Sequence, residues 1–277
     1  MFVNGERVFA FHPRIPMNLT LTIATWNLDR AAATPNVRTQ AMHEQIPAVK
    51  ADIWVLTETH EGFALSGYRP LSTPDASRQQ KGRKTTMLWV REDWAMQEIP
   101  VFPNLPERED PARTWPSFTV SSRDTAPAVC AIVETPGGKL LVYGTVITYF
   151  GDKSPWGTTG NHQEQLRSTK AHHQDWDRLR NAYPELPFIV AGDFDATCDE
   201  RNYPAKKTCD ALRAAIAENG LVCLSKAHKI DHICVSAEHC GPCDVLIFHP
   251  TYFSPWSNKT VTVSDHHGVA VTVTVQG

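Results

Sequence analysis

Phe188-Ile189-Val190-Ala191-Gly192-Asp193-Phe194-Asp195 carries four apolar residues into a glycine and then places two carboxylates around a phenylalanine. A short unbroken apolar run reads as a strand covered on both faces, and Gly-Asp reads as the turn that ends it. Working outward, the same arrangement of strand followed by acid or amide recurs. Ile23-Ala24-Thr25-Trp26-Asn27 ends in Asn, Ile53-Trp54-Val55-Leu56-Thr57-Glu58 ends in Glu, and Ser264-Asp265-His266-His267 precedes the last apolar run. Polar residues at successive strand ends converge on one rim of a sheet.

Strands are expected at Leu19–Trp26, Ile53–Thr57, Thr86–Val90, Val129–Val133, Leu140–Thr148, Pro187–Ala191, Ile230–Val235, Val245–Phe248 and Val269–Val275. Helical character falls at Val37–Lys50, Asn161–Tyr183 and Ala205–Asn219, the last closed by Asn219-Gly220. Near-continuous apolar strands call for a second sheet on one face and helices on the other. Pro100–Pro116 reads as a surface loop, and no repeat divides the chain. A site drawn from both ends of the sequence favours one domain over residues 1–277, with 1–18 as an N-terminal extension.

The chain has 277 residues, 42% of them hydrophobic, enough for a large core without disulfide support. Its formal charge of −3 gives no basic footprint, so a polyanion would be gripped locally or through a metal. The opening MFVNGERVFAFHPRIP lacks an apolar core of signal-peptide length, and no apolar run is long enough to span a membrane. Together with an odd count of 7 cysteines, this predicts a cytoplasmic protein. Oligomeric state is left open.

Each polar motif alone has a plain structural explanation, as a turn residue or a solvated strand end. Their joint occurrence points to chemistry. An Asn amide and carboxylates without a matching Cys and His set suit a hard cation, Mg²⁺ or Mn²⁺, which would neutralise phosphate oxygens and a leaving alkoxide.

The series Trp26-Asn27, Thr57-Glu58, Gly192-Asp193-Phe194-Asp195, Ile230-Asp231-His232 and Ser264-Asp265-His266 resembles the endonuclease/exonuclease/phosphatase superfamily, the DNase I-like enzymes. The resemblance runs from about residue 20 to the C-terminus. It implies a four-layer α/β/β/α sandwich of two mixed sheets with the site at one edge. By position it implies Asn27, Glu58 and Asp265 at the metal. It makes Asp193 the residue that orients or deprotonates the attacking water, and His266 the catalytic histidine, backed by Asp231. Two departures stand out. Asp195 replaces the usual Asn, which is expected to raise the demand for divalent ions. The strand ending at Tyr149 has no histidine, and Tyr149 is the candidate in its place.

Arg83 and Lys84, in the basic stretch Arg78–Lys84, and Arg167 are candidate substrate contacts, and Trp156, Tyr252, Phe253 and Trp256 are loop aromatics suited to base stacking. The resemblance places a disulfide at Cys198, with Cys209 or Cys223 as partner. Cys240-Gly241-Pro242-Cys243 with Cys223 and Cys234 lacks the spacing of a paired zinc site and reads as isolated buried thiols. His172 and His173 read as exposed helix histidines. The expected activity is a metal-dependent phosphodiester hydrolase acting on DNA or RNA. The alternatives are a phosphatase or phosphodiesterase for a small or lipid-linked phosphate, and an inactive binding module.

Overall fold

The computed structural model describes residues 18–32, 34–74, 82–102, 128–151 and 162–276. In chain order the elements are β1 (Asn18–Asn27), α1 (Val37–Val49), β2 (Ile53–His60), β3 (Tyr68–Ser72), β4 (Arg83–Arg91), β5 (Ala95–Glu98), β6 (Ala128–Thr135), β7 (Gly138–Val146), α2 (Gln163–Ala182) and β8 (Phe188–Asp193). There follow α3 (Lys206–Glu218), β9 (Leu221–Cys223), β10 (Asp231–Ser236), β11 (Cys240–Phe248), β12 (Thr251–Ser254), β13 (Lys259–Thr262) and β14 (Gly268–Gln276). One six-stranded sheet runs β11-β14-β1-β2-β4-β3, a second runs β5-β6-β7-β8-β10-β9, and β12 and β13 form a separate hairpin.

Every predicted strand is present, with shifted ends: β7 stops at Val146 instead of Thr148. The strands not predicted, β3, β5, β9, β12 and β13, are short.

Alternation along the strands separates three apolar layers. Ile23, Val55, Leu88 and Val271 of the first sheet face Val129, Val142, Ile189 and Ile233 of the second in the central core. Trp26, Trp54, Met87 and Trp89 point the other way and are covered by Ala41, Met42 and Ile46 of α1. On the far side, Leu141, Tyr143, Phe188 and Val190 lie under Trp176 and Leu179 of α2 and Leu212 and Ile216 of α3. The result is the expected α/β/β/α sandwich, and the cover on both faces explains why the strands read as unbroken apolar runs. α1 starts on a capping box in which Asn36 accepts from the Thr39 backbone and Thr39 accepts from that of Asn36. Among the described residues no helix is long and apolar enough to cross a membrane.

His172 corrects the expectation of an exposed histidine. It is fully buried, its Nδ1–H donating to the Ser168 carbonyl at 2.8 Å and its Nε2 accepting from the Thr145 hydroxyl at 2.6 Å. Burial lowers its pKa from 6.5 to about 4. Below the ordinary histidine pKa the unfolded chain binds a proton here that the folded chain refuses. The stability this site contributes is therefore complete above pH 6.5 and lost as pH falls to about 4, a loss of about 3 kcal/mol. Unfolding free energies measured across that window should fall less steeply in His172→Gln than in the wild type. Equal slopes would show that His172 is not the group that titrates.

Candidate active site

Strand pairing builds the rim from both sheets. Antiparallel β8 and β10 place Asp193 directly opposite Asp231 and Gly192 opposite His232. Parallel β7 brings Thr145 beside Gly192, so close that a Cβ on residue 192 would sit 1.8 Å from the Thr145 carbonyl oxygen, at a φ of +144°. Only glycine fits there, which explains the Gly before the acid. In the other sheet β1 lies parallel to β2 with Asn27 beside Thr57, bringing Asn27 and Glu58 to the same end. Glu58 and Asp195 hold left-handed backbone at φ 49° and 50°. Such strain costs about 1–3 kcal/mol per residue and collects at functional sites.

Asn27 joins the two sheets. Its Nδ2 donates to Glu58 Oε1 at 3.1 Å and to Asp193 Oδ2 at 2.9 Å, while its Oδ1 accepts from the Asp29 backbone N–H at 2.8 Å. The amide nitrogen therefore faces the acids, and the carbonyl, expected to face a cation, is turned to the backbone. The Asp195 N–H donates to Asp193 Oδ1 at 3.0 Å. His266 Nδ1 lies 2.8 Å from Asp231 Oδ2, and the ligand atoms of Asp193, Asp231 and His266 all lie within 4.8 Å of one another. The His266 loop is tied to β1: the Ser264 hydroxyl donates to the Asn27 carbonyl at 2.6 Å and accepts from the His266 N–H at 3.0 Å, and Trp26 Nε1 donates to the His266 carbonyl at 2.9 Å. Asp265 stands outside this cluster, its side chain 71% exposed and 4.0 Å from His266 Nε2.

The acids crowd one another. Burial raises the Glu58 pKa, with Asp193 adding to the rise. Asp195 is raised well above the usual carboxylate range, first by burial and then by Asp193. Burial, aided by Asp193, raises Asp231 to about 6. Burial opposes the charged form of His266, but its hydrogen bond to Asp231 and the charge of Asp193 outweigh that and raise it to about 10. At neutral pH the pair is an imidazolium against a carboxylate. Asp231 Oδ1 is buried with no hydrogen-bond partner among the described residues. A cluster of mutually repelling carboxylates with an orphaned oxygen suits a divalent cation, which the carboxylates would hold, because His266 as an imidazolium has no free lone pair to offer it.

The remaining predicted residues lie around this centre. Lys84 pairs across the sheet with Thr59, so Arg83 and Lys84 run beside the Glu58 end of β2, with Lys84 3.8 Å from Glu61. Residues 78–81 of the basic stretch, and Trp156, lie outside the described residues. Arg167 forms an ion pair at 2.6 Å with the buried Glu164. Tyr149 follows β7, is 40% exposed, and lays its ring against Gly151.

Three residues unmarked by any motif also matter. Arg38 of α1 donates to the carbonyls of Leu28, Asp29 and Val263 at 2.5–2.7 Å, clamping the loops that follow Asn27 and precede His266. Arg30 lies 3.8 Å from Glu58. His228 accepts from the Asp231 N–H at 3.2 Å and is kept neutral, its pKa lowered to about 4 chiefly by burial. In place of the disulfide expected at Cys198, the cysteines Cys198, Cys209 and Cys223 are free thiols.

The chain belongs to the Endonuclease/Exonuclease/phosphatase family, whose match spans residues 24–266. Solved structures agree in fold. An endonuclease/exonuclease/phosphatase family protein from Bacteroides thetaiotaomicron is 18% identical at a TM-score of 0.62, covering 93% of this chain and 98% of that one. The mannosyl-6-phosphatase Bt3783 from Bacteroides thetaiotaomicron VPI-5482 is 18% identical at 0.60, covering 91% and 99%. The endonuclease domain of TRAS1, a telomere-specific non-LTR retrotransposon, is 15% identical at 0.57, covering 92% and 98%. No protein of curated function matches the sequence. Family membership implies a metal-dependent phosphoester hydrolase.

Proposed function

We propose that this protein is a Mg²⁺- or Mn²⁺-dependent phosphodiesterase that cleaves nucleic acid. The observation that carries the chemistry is the His266–Asp231 pair facing Asp193 across one sheet rim, their ligand atoms within 4.8 Å. Glu58, with Asp265 at the open side, would hold the ion, and Asn27 fixes Glu58 against Asp193 by bridging both. When bound, the ion neutralises charge on the phosphate and on the leaving oxygen. Asp193 orients a water and takes its proton. His266, held as an imidazolium by Asp231, hydrogen-bonds the phosphate oxygens as negative charge builds on them.

The choice of a polynucleotide rests on the β12–β13 hairpin. Its base adjoins the His266 loop, where the Val263 N–H donates to the Pro250 carbonyl at 2.6 Å. Near its tip Phe253 and Trp256 are 56% and 66% exposed, which fits rings that stack on unpaired bases. Arg83 and Lys84, beside Glu58, supply local positive charge.

Single-stranded DNA, duplex DNA, RNA, sugar phosphates and inositol phosphates should be offered with Mg²⁺ and with Mn²⁺. A polynucleotide is expected to be cleaved, with KM rising steeply with salt, and Trp256→Ala should weaken its binding by about 1–3 kcal/mol. Phosphate release from a small ester with a shallow salt response would replace the nuclease with a phosphatase. Inactivity toward every substrate would favour a binding module.

A further inference from the structure

We propose that Cys198, Cys223 and His232 form a second metal site, for a thiophilic ion of the Zn²⁺ type, separate in chemistry from the acidic rim. Three segments supply it. Cys223 ends β9 opposite Cys234 of β10, and His232, two residues before Cys234, shares the same face. Cys198 arrives from the loop after β8. The three donor atoms lie within 4.8 Å of one another.

Cys223 Sγ and His232 Nδ1 are 3.6 Å apart. A tetrahedral zinc bonds sulfur at about 2.3 Å and imidazole nitrogen at about 2.0 Å, which sets those two ligands about 3.5 Å apart. The pair thus already stands at the edge length of a coordination tetrahedron. The outer contact is also in place. His232 Nε2 lies 3.0 Å from the Ala196 carbonyl. A carbonyl can only accept, so Nε2 carries the proton, and Nδ1 is left to face the sulfur, as in metal-bound histidines. His232 is buried while Cys198 and Cys223 are half-buried, so an ion can enter from their side.

Ligand hardness sorts two ions on one edge of the sandwich, oxygen for the hard cation and thiolate with imidazole for the softer one. An ion at the thiols would fasten β9 and β10 to the loop carrying Asp195, next to Asp231.

The full chain, reduced and then desalted, should retain stoichiometric zinc, and replacement by Co²⁺ should give thiolate-to-cobalt charge-transfer absorption. Cys198→Ser, a change at a half-buried loop position, should weaken zinc binding by more than about 100-fold, beyond the range of an outer-shell change. Cys223→Ser should abolish the absorption, and Asp193→Asn should keep both signals. Circular dichroism confirms that each variant is folded. The proposal is overturned by reduced wild-type protein that neither retains zinc nor shows the band. It is also overturned by unchanged affinity in folded Cys198→Ser, or by a Cys198–Cys223 disulfide in protein isolated with its thiols blocked. None of these readouts depends on phosphoesterase activity.

Discussion

Asp193→Asn should lower kcat by about 10²–10⁴-fold, the range for a positioned acid–base group, and leave the fold intact. The carboxylate has two holders: Asn27 Nδ2 at 2.9 Å on Oδ2 and the Asp195 N–H at 3.0 Å on Oδ1. An Asn can keep the second with its carbonyl. Its own NH₂ would then meet that of Asn27, which cannot turn away without releasing the Asp29 N–H. That conflict costs about 1 kcal/mol. Against it stands relief of crowding, because the charge of Asp193 helps to raise the pKa values of Glu58, Asp195 and Asp231. The two effects oppose each other and are of similar size, so Tm should change little while turnover collapses. A kcat within tenfold of wild type would remove Asp193 from the chemistry. A collapse in Tm would mean that the acid is structural.

The rim is legible because each motif sits at one end of an apolar strand, Asn27, Glu58 and Asp193 where one stops and Asp231 and His266 where one begins, and these ends share an edge in a layered α/β fold. Gly192 before Asp193 could be read as a turn; that it is forced by the Thr145 carbonyl at 1.8 Å from a would-be Cβ depends on β7, a distant segment. The burial of His172 likewise depends on a distant strand. Its partner Thr145 comes from β7, although within α2 His172 stands four and seven residues before Trp176 and Leu179 and so shares their buried face. Asn27 carries the right residue type, but the orientation of its amide is decided by the Asp29 backbone. Cys198, Cys223 and His232 come from three separate segments and share no spacing motif, so their convergence emerges only from the β9–β10 register together with the return of the loop after β8. The edge strands β3 and β5, Tyr-Arg-Pro-Leu-Ser and Ala-Met-Gln-Glu, carry too few apolar residues to signal a strand and form because β4 and β6 offer unpaired edges.

Stripping divalent ions with EDTA should reduce activity to background, and Mg²⁺ alone should restore it. A hard ion cannot substitute at the thiol cluster, so rescue by Mg²⁺ locates the requirement at the carboxylates. The same ion should stabilise the fold. The rim holds Glu58, Asp195 and Asp231 all with raised pKa values and Asp231 Oδ1 without a hydrogen-bond partner among the described residues. A cation lowers that repulsion in the folded chain alone. At a hundredfold excess over Kd the gain is about 2.7 kcal/mol, or roughly 5 °C in Tm for a chain of this size. Glu58→Gln separates a specific site from general charge screening. Gln keeps an oxygen to accept from Asn27 Nδ2, as Glu58 Oε1 does at 3.1 Å, but has no charge for the ion. The variant should fold, lose most of the Mg²⁺-induced shift in Tm, and turn over at least about 100-fold more slowly. A Mg²⁺ shift equal to that of wild type would place the ion away from Glu58. Full activity in the presence of EDTA would end the metal-dependent reading.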